Sequence, residues 1–208
     1  MRLLSGRACD LPPVLRNKLF AFRYRVFVEQ LGWQLGDGQS RFERDEFDRF
    51  DTLYVVGQDA RAEVVACARL LPTLRPCLLE RHFSDLLAAP LQSAAHVWEL
   101  SRFAVGRDLP DTDGLTELLA AVLEAAAYCG CDELVGVTFS SLARRFRSQG
   151  AEVVSLGPSR ILDGRRVEAC AMNIHRSLNG LRVRLPVGSK ATPPIAEIAG
   201  SISEKMET

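Results

Sequence analysis

The sequence predicts an α/β protein: one mixed sheet with helices on both faces. Three observations carry this expectation. The 208 residues, 47% hydrophobic and 25% charged, suit one domain with a sizeable core. Apolar residues recur at helical spacing in some segments and alternate or run together in others. The segments follow the order helix, strands, helix, strand, helix, strand, strand, which implies one mixed sheet with helices on both faces.

Residues 11–30 read as a helix, with Pro12 and Pro13 suited to its first turn and Leu15, Leu19, Phe22 and Val26 as an apolar stripe. Residues 32–50 hold Gly32, Gly36, Gly38 and many charges, and read as a long loop, a feature uncommon unless it binds something. Segments 52–58 and 63–71 read as strands joined by the polar turn Gln58-Asp59-Ala60-Arg61. A short helix is expected at 82–89 and a strand at 96–105. The clearest helix is 112–129, where Leu115, Leu118, Leu119, Val122, Leu123 and Ala126 share a face and Gly130 fits the C-terminal cap. A buried strand follows at 133–139. Ser140 or Ser141 then caps a basic helix that runs through Gln149 and ends at Gly150. Strands are expected at 151–156 and 166–174. Residues 1–180 are thus expected to form one domain, and 181–208 a loosely ordered tail with a short helix near 194–200.

Lysine plus arginine and aspartate plus glutamate number 26 each, so no bulk charge points to nucleic acid or an anionic membrane. Residues 1–7 are too short and too charged for a signal peptide, and no apolar stretch would span a bilayer, so a cytoplasmic protein is expected. Six cysteines form no C-x-x-C pair and read as reduced apolar fillers; no metal site is expected. Three histidines sit in no nucleophile–base motif.

Charged residues inside segments that read as buried strand are the informative feature, because a buried charge is costly unless paired or bound. Arg23, Arg69, Glu99 and Arg102 stand in otherwise apolar segments, and Asp45 and Asp48 lie in the long loop. The aspartates suit an ammonium ligand or belong to a solvated acidic loop with Glu43 and Glu46. Arg69 either clamps a carboxylate or pairs with a loop aspartate. Phe27 and Trp33 offer flat surfaces for an adenine ring or a sulfonium cation, although Phe27 also suits a core position. Glu99 shares a strand face with Ser101 and opposes Arg102, three residues on. It is a general-base candidate or half of a salt bridge. The set fits a pocket for a small zwitterion that carries an extra positive charge.

In order, these residues form the text Arg23-Tyr24-Arg25-Val26-Phe27, Leu31-Gly32-Trp33, Glu43 to Asp48, Cys67 to Thr73 and Val97 to Val105. From about residue 15 to about 175 the chain resembles the acyl-homoserine-lactone synthases, the LuxI-type autoinducer synthases. The resemblance implies a GNAT-like three-layer α/β/α sandwich with a mixed, mostly antiparallel central sheet and a V-shaped cleft. It implies acylation of S-adenosylmethionine by an acyl thioester, on acyl carrier protein in preference to coenzyme A. Lactonisation then releases methylthioadenosine; a medium-length acyl chain is favoured and no cofactor is implied. Glu99, Arg69, Asp45 and Asp48 would be catalytic. Arg23, Phe27, Trp33, Asp45, Asp48, Arg69, Ser101, Arg102 and Phe103 would hold S-adenosylmethionine. Phe83, Trp98, Thr138, Phe139, Leu142, Phe146 and Met172 are the acyl-pocket candidates. Arg144, Arg145, Arg147, Arg160 and Arg165 form a basic region suited to docking an acidic carrier, or a solvated helix face. The chain departs from the family pattern at Leu74, Cys77 and Ala143, positions that bear on acyl selectivity and carrier docking.

Two rival functions make different demands on the sequence. A general acetyl-coenzyme A transferase needs a glycine-rich loop opening a helix, so that N–H groups meet pyrophosphate; Arg107 to Gly114 lacks that pattern. A non-catalytic sensor would keep the arginines and aromatics but have no need of Glu99.

Overall fold

Strand β1 (Arg2–Arg7) pairs antiparallel with β2 (Leu53–Gln58), in register from Arg2↔Gln58 to Arg7↔Leu53. β1 has no counterpart among the expected elements: Ser5 and Gly6 break its apolar run, and its partner lies some fifty residues away. The computed structural model describes residues 1–35, 40–107 and 113–182. Its described residues divide into two units, Met1–Arg69 with Arg102–Ala121, and Leu70–Ser101 with residues 122–182.

In the first unit, helix α1 (Pro13–Arg23) begins with Pro12 at the cap and Pro13 at the first helical position, where a missing N–H costs nothing. It passes into a π-helical segment, Tyr24–Gln30. There Leu31 N donates to Val26 O, five residues back, at 3.0 Å. Such wide turns concentrate at functional sites, and apolar periodicity does not distinguish them from an ordinary helix. The expected stripe of Leu15, Leu19, Phe22 and Val26 is buried, packed with Leu4, Tyr54, Val56, Cys67 and Ala104. β3 (Val64–Pro72) starts in this unit and β4 (Val97–Val105) ends in it. They are neighbours here: Gly106 N donates to Val65 O at 2.7 Å.

In the second unit the end of β3 meets the start of β4, where Thr73 N donates to Val97 O at 3.3 Å. β4 pairs in parallel with β5 (Glu133–Phe139), from Val97↔Glu133 to Glu99↔Val135. Both strands continue past this three-residue register, as a splayed parallel pair does. Gly136 stands at that point: a Cβ there would lie 2.5 Å from Leu100 O, so only glycine fits. β8 (Arg165–Asn173) runs antiparallel to β5 across seven positions and carries β6 (Val153–Ser155) and β7 (Arg160–Leu162). The parallel strands are joined through α3 (Asp113–Tyr128), whose Leu118, Leu119, Val122, Leu123 and Ala126 are buried as expected. Gly130, at φ +77°, follows its end. The result is a mixed, mostly antiparallel sheet with helices, a GNAT-like α/β fold.

Some boundaries differ from expectation. The helix read at 82–89 is α2 (Leu78–His82) followed by a 3₁₀ turn, Ser84–Leu86. Phe83 between them takes φ −137° and breaks the helix. Helix α4 (Ser140–Ser148) has Phe139 at its cap position and no side-chain cap, so Ser140 and Ser141 are its first residues. β7 and α5 (Ile174–Arg182) were not read, the first being only three residues long. The tail expectation for 183–208 lies outside the described residues, as does most of the stretch from Arg107 to Gly114. Among the described residues, no helix is long and apolar enough to cross a membrane.

Candidate active site

Three guanidinium groups and three carboxylates interlock in the first unit. Arg23, on the last turn of α1, donates through Nε to Glu43 Oε2 at 2.5 Å. Its two terminal nitrogens clasp Asp48 at 2.7 and 3.0 Å. Arg69, from β3, donates through Nη1 to Asp45 Oδ1 at 2.5 Å and to Asp48 Oδ1 at 3.0 Å. Arg102, from β4, holds Glu43 through Nε and Nη2 at 2.9–3.2 Å and reaches Asp45 Oδ2 at 2.8 Å. Charges balance within the hexad, three against three, which is what allows it to be buried.

The side chains of Arg23, Arg69, Glu43 and Asp48 are at most 1% exposed and that of Arg102 is 4%, while Asp45 keeps 19%. Asp45 is therefore the carboxylate through which the network meets solvent. Asp48 also accepts from the Tyr54 hydroxyl at 2.6 Å and from Asp45 N at 2.8 Å, making it the hub. Burial alone would raise its carboxyl, but Arg23 and Arg69 outweigh burial and hold it well below the usual carboxylate range. Glu43 is lowered in the same way: burial opposes, and Arg23 and Arg102 prevail. The Tyr54 phenol is pushed far up, by burial first and by Asp48 second. Burial pushes the Cys67 thiol up to about 12.

Arg102 departs from the expected alternation. It sits at φ +51°, so β4 is locally kinked and a two-face count through it fails. The kink lets Arg102 reach the carboxylates and lie 5.5 Å over the Phe27 ring. Phe27 is buried and stacks on Trp33, centroids 5.0 Å apart at 24°. Trp33 N donates to Phe27 O at 2.9 Å, so the turn after the π-helical segment fixes the pair.

The solvated-loop reading of Asp48 and Glu43 is thereby set aside, and the ion-pair reading of Arg69 is realised. Sequence reasoning missed Glu43 and Tyr54 as members of the site. Charge counting gave no signal for the first, because Asp45, Asp48 and Glu99 already balance the three arginines in number; Glu99 instead accepts from Leu79 N.

In the second unit Glu99 is 1% exposed, and its Oε2 accepts from Leu79 N at 2.6 Å, near the start of α2. Burial and the neighbouring Glu99 push the Cys77 thiol up to about 12. Ser101 is buried and Phe103 half-buried. Trp98 is buried and donates from Nε1 to Ala95 O at 3.0 Å.

The acyl-pocket candidates do not form one wall. Phe83 and Phe139 pack against a cluster of Cys77, Leu79, Val135, Val167 and Ala171. Thr138 follows Val137 and precedes Phe139 on β5, so pleating sends it to the opposite face. Met172 pairs with Leu134, on Thr138's side of the sheet. Phe146 is buried and Leu142 half-buried on α4.

The basic candidates also divide. Arg144 and Arg147 are exposed on α4, with Arg147 near Glu168 at 3.5 Å, and Arg145 is half-buried. Arg160 pairs with Asp85 at 2.5 Å and lies over Phe83, while Arg165 lies over Phe139.

Residues 13–178 match the autoinducer synthase family. The chain belongs to that family. An acyl-homoserine-lactone synthase of Ralstonia nicotianae is 43% identical over 175 residues, covering 80% of this chain and 86% of the relative. The solved structure of TofI, in a ternary complex with an inhibitor and MTA, is 46% identical with a TM-score of 0.79, covering 88% of this chain and 97% of that one. The coenzyme A-dependent acyl-homoserine lactone synthase BjaI, solved with SAM and isopentyl-CoA, is 27% identical with a TM-score of 0.84, covering 92% of each chain. This autoinducer synthase is accordingly an acyltransferase, and the hexad, the Phe27–Trp33 stack and Glu99 lie within the matched span.

Proposed function

We propose that the chain acylates the amine of S-adenosylmethionine from an acyl thioester carried on acyl carrier protein, with a medium-length chain, and then closes the lactone. The balanced hexad with one solvent-facing carboxylate carries this reading. Asp45 meets the ligand's ammonium, and the ligand's carboxylate competes with Asp45 for Arg69 and Arg102. Asp48 and Glu43 hold the arginines in place. Trp33 and Phe27 offer their faces to the adenine ring and the sulfonium. SAM in BjaI and MTA in TofI support the ligand class.

The amine, with a reference pKa of about 8, must lose a proton before attack. Glu99 takes it, and the Leu79 N–H bond to Oε2 fixes the direction of its carboxylate. The amine nitrogen then bonds the thioester carbon, and the carbon–sulfur bond breaks to release the carrier thiol. Next the ligand's carboxylate oxygen attacks its own γ-carbon. The bond from that carbon to the sulfonium breaks with its electron pair going to sulfur, which leaves as neutral methylthioadenosine. This step needs chiefly positioning.

Exposed Arg144 and Arg147 on α4 suit an acidic carrier protein. BjaI's coenzyme A dependence makes the donor the point to test. Purified protein is incubated with S-adenosylmethionine and a panel of acyl-carrier-protein and acyl-coenzyme A donors, and the lactone is identified by mass spectrometry. Turnover with carrier-bound medium-length chains is expected, and faster turnover with coenzyme A donors refutes the carrier assignment. Glu99→Gln should cut kcat by about 10²–10⁴ while calorimetric binding of S-adenosylmethionine persists. Undiminished kcat removes Glu99 as the base.

A further inference from the structure

The first unit holds a cavity of about 480 Å³ over the start of α1 and the loop around residues 42–50. Its size is in the range of small-molecule sites. Arg16, Arg44, Phe20, Phe42 and Phe50 line it, with Asp48 and Arg49. Two of its three cations, Arg16 and Arg44, are free of carboxylate partners among the described residues. Arg49 has Asp51 at 3.9 Å. Arg16 donates only to Ala8 O, at 3.4 Å, and Arg44 lies over the Phe20 ring at 5.0 Å; neither has a carboxylate partner among the described residues. Asp48 is the one acid in the lining and is committed to Arg23, Arg69 and Tyr54. Phe42 and Phe50 are 46% and 72% exposed, an unusual way to leave two phenyl rings beside two guanidinium groups.

We infer that this cavity binds a small aromatic anion, a phosphate or carboxylate on a flat ring. The anionic head meets Arg16 and Arg44. The ring lies against Phe42 and Phe50, which lose solvent contact, while the Arg44–Phe20 stack holds one guanidinium plane in place. The residues assigned to the ligand, Arg16, Arg44, Phe42 and Phe50, belong neither to the hexad nor to the Phe27–Trp33 stack; the lining meets the hexad at Asp48, whose carboxylate is already held by Arg23, Arg69 and Tyr54.

Phenyl phosphate is the probe, titrated calorimetrically into protein saturated with methylthioadenosine so that the adenosine-binding position is filled. One-site saturation with Kd at or below about 1 mM is expected. Inorganic phosphate and phenol should each bind at least tenfold more weakly, because each lacks half of the match. The double variant R16Q/R44Q should weaken phenyl phosphate at least tenfold and leave acyl transfer unchanged. Phe50→Ala, at an exposed position that folding does not need, should weaken it severalfold and serves as a check independent of the arginines. Absence of saturation, binding untouched by R16Q/R44Q and Phe50→Ala, equal affinity for inorganic phosphate, or displacement by methylthioadenosine would each overturn the inference. None of these results bears on whether the protein makes the lactone.

Discussion

Replacing Asp48 by asparagine should destabilise the protein more than almost any other isosteric change. The carboxylate takes five hydrogen bonds. Oδ1 accepts from Arg23 Nη1, Arg69 Nη1 and the Tyr54 hydroxyl, and Oδ2 accepts from Arg23 Nη2 and Asp45 N. An amide can replace only one oxygen. In its better orientation the new NH₂ group stands at Oδ2 and confronts two donors, while the charge balance falls from three against three to three against two. With Asp48 at 1% exposure, solvent does not screen the uncompensated arginines. Breaking a buried pair in this way costs about 3–5 kcal/mol, a large part of a total stability of about 5–15 kcal/mol. For a chain of this length that lowers Tm by roughly 6–20 °C. Urea unfolding followed by tryptophan fluorescence, with calorimetry for Tm, measures the loss. Asp48→Asn within about 1 kcal/mol of the parent would refute the claim that the hexad is a closed, charge-balanced unit. Pairing it with Arg23→Met should cost less than the sum of the two single changes, because they share one network.

The lowered carboxyls of Glu43 and Asp48 fix the sign of the acid response. Their contribution to stability is present above the ordinary carboxylate range near pH 4 and is lost as pH falls through their lower folded values. The urea midpoint should decline steeply below about pH 4, and less steeply in Glu43→Gln; a midpoint that rises on acidification contradicts this. Iodoacetamide at pH 8 should label exposed Cys9 first, while the buried thiols of Cys67, Cys131 and Cys170, each pushed up to about 12, react only on unfolding, as peptide mass mapping would show. Trp33→Ala should raise KM for S-adenosylmethionine by about 5- to 30-fold, worth ~1–2 kcal/mol of cation–π and stacking contact, with little change in kcat. An unchanged KM would remove Trp33 from the ligand site.

Much of the site was legible because burial contradicts charge. Arg23, Arg69 and Arg102 drew notice as cations in apolar text, and all three are buried. Glu43 was not legible in the same way, because it stands beside Glu46 in a loop rich in acids and nothing local marks which of them turns inward. The stack of Phe27 on Trp33 was half visible: the residue types showed, but the π-helical segment that sets their meeting did not, since an i→i+5 turn leaves the apolar pattern almost unchanged. The acyl-pocket candidates were legible only as apolar residue types; the pleat of β5, which sends Thr138 and Phe139 to opposite faces, decides which of them share a side.

By itself, the order of residues along the chain determined the α/β class, the main helices and strands, and the inventory of charged and aromatic groups, because periodicity and burial cost act locally. Only the tertiary structure decided which carboxylate each arginine holds. Glu43 lies 20 residues from Arg23 and 59 from Arg102, and the bond to each depends on the path of the intervening chain. The left-handed backbone of Arg102, found where its guanidinium meets Glu43 and Asp45, likewise has no marker in the residues beside it, since neither glycine nor asparagine stands there.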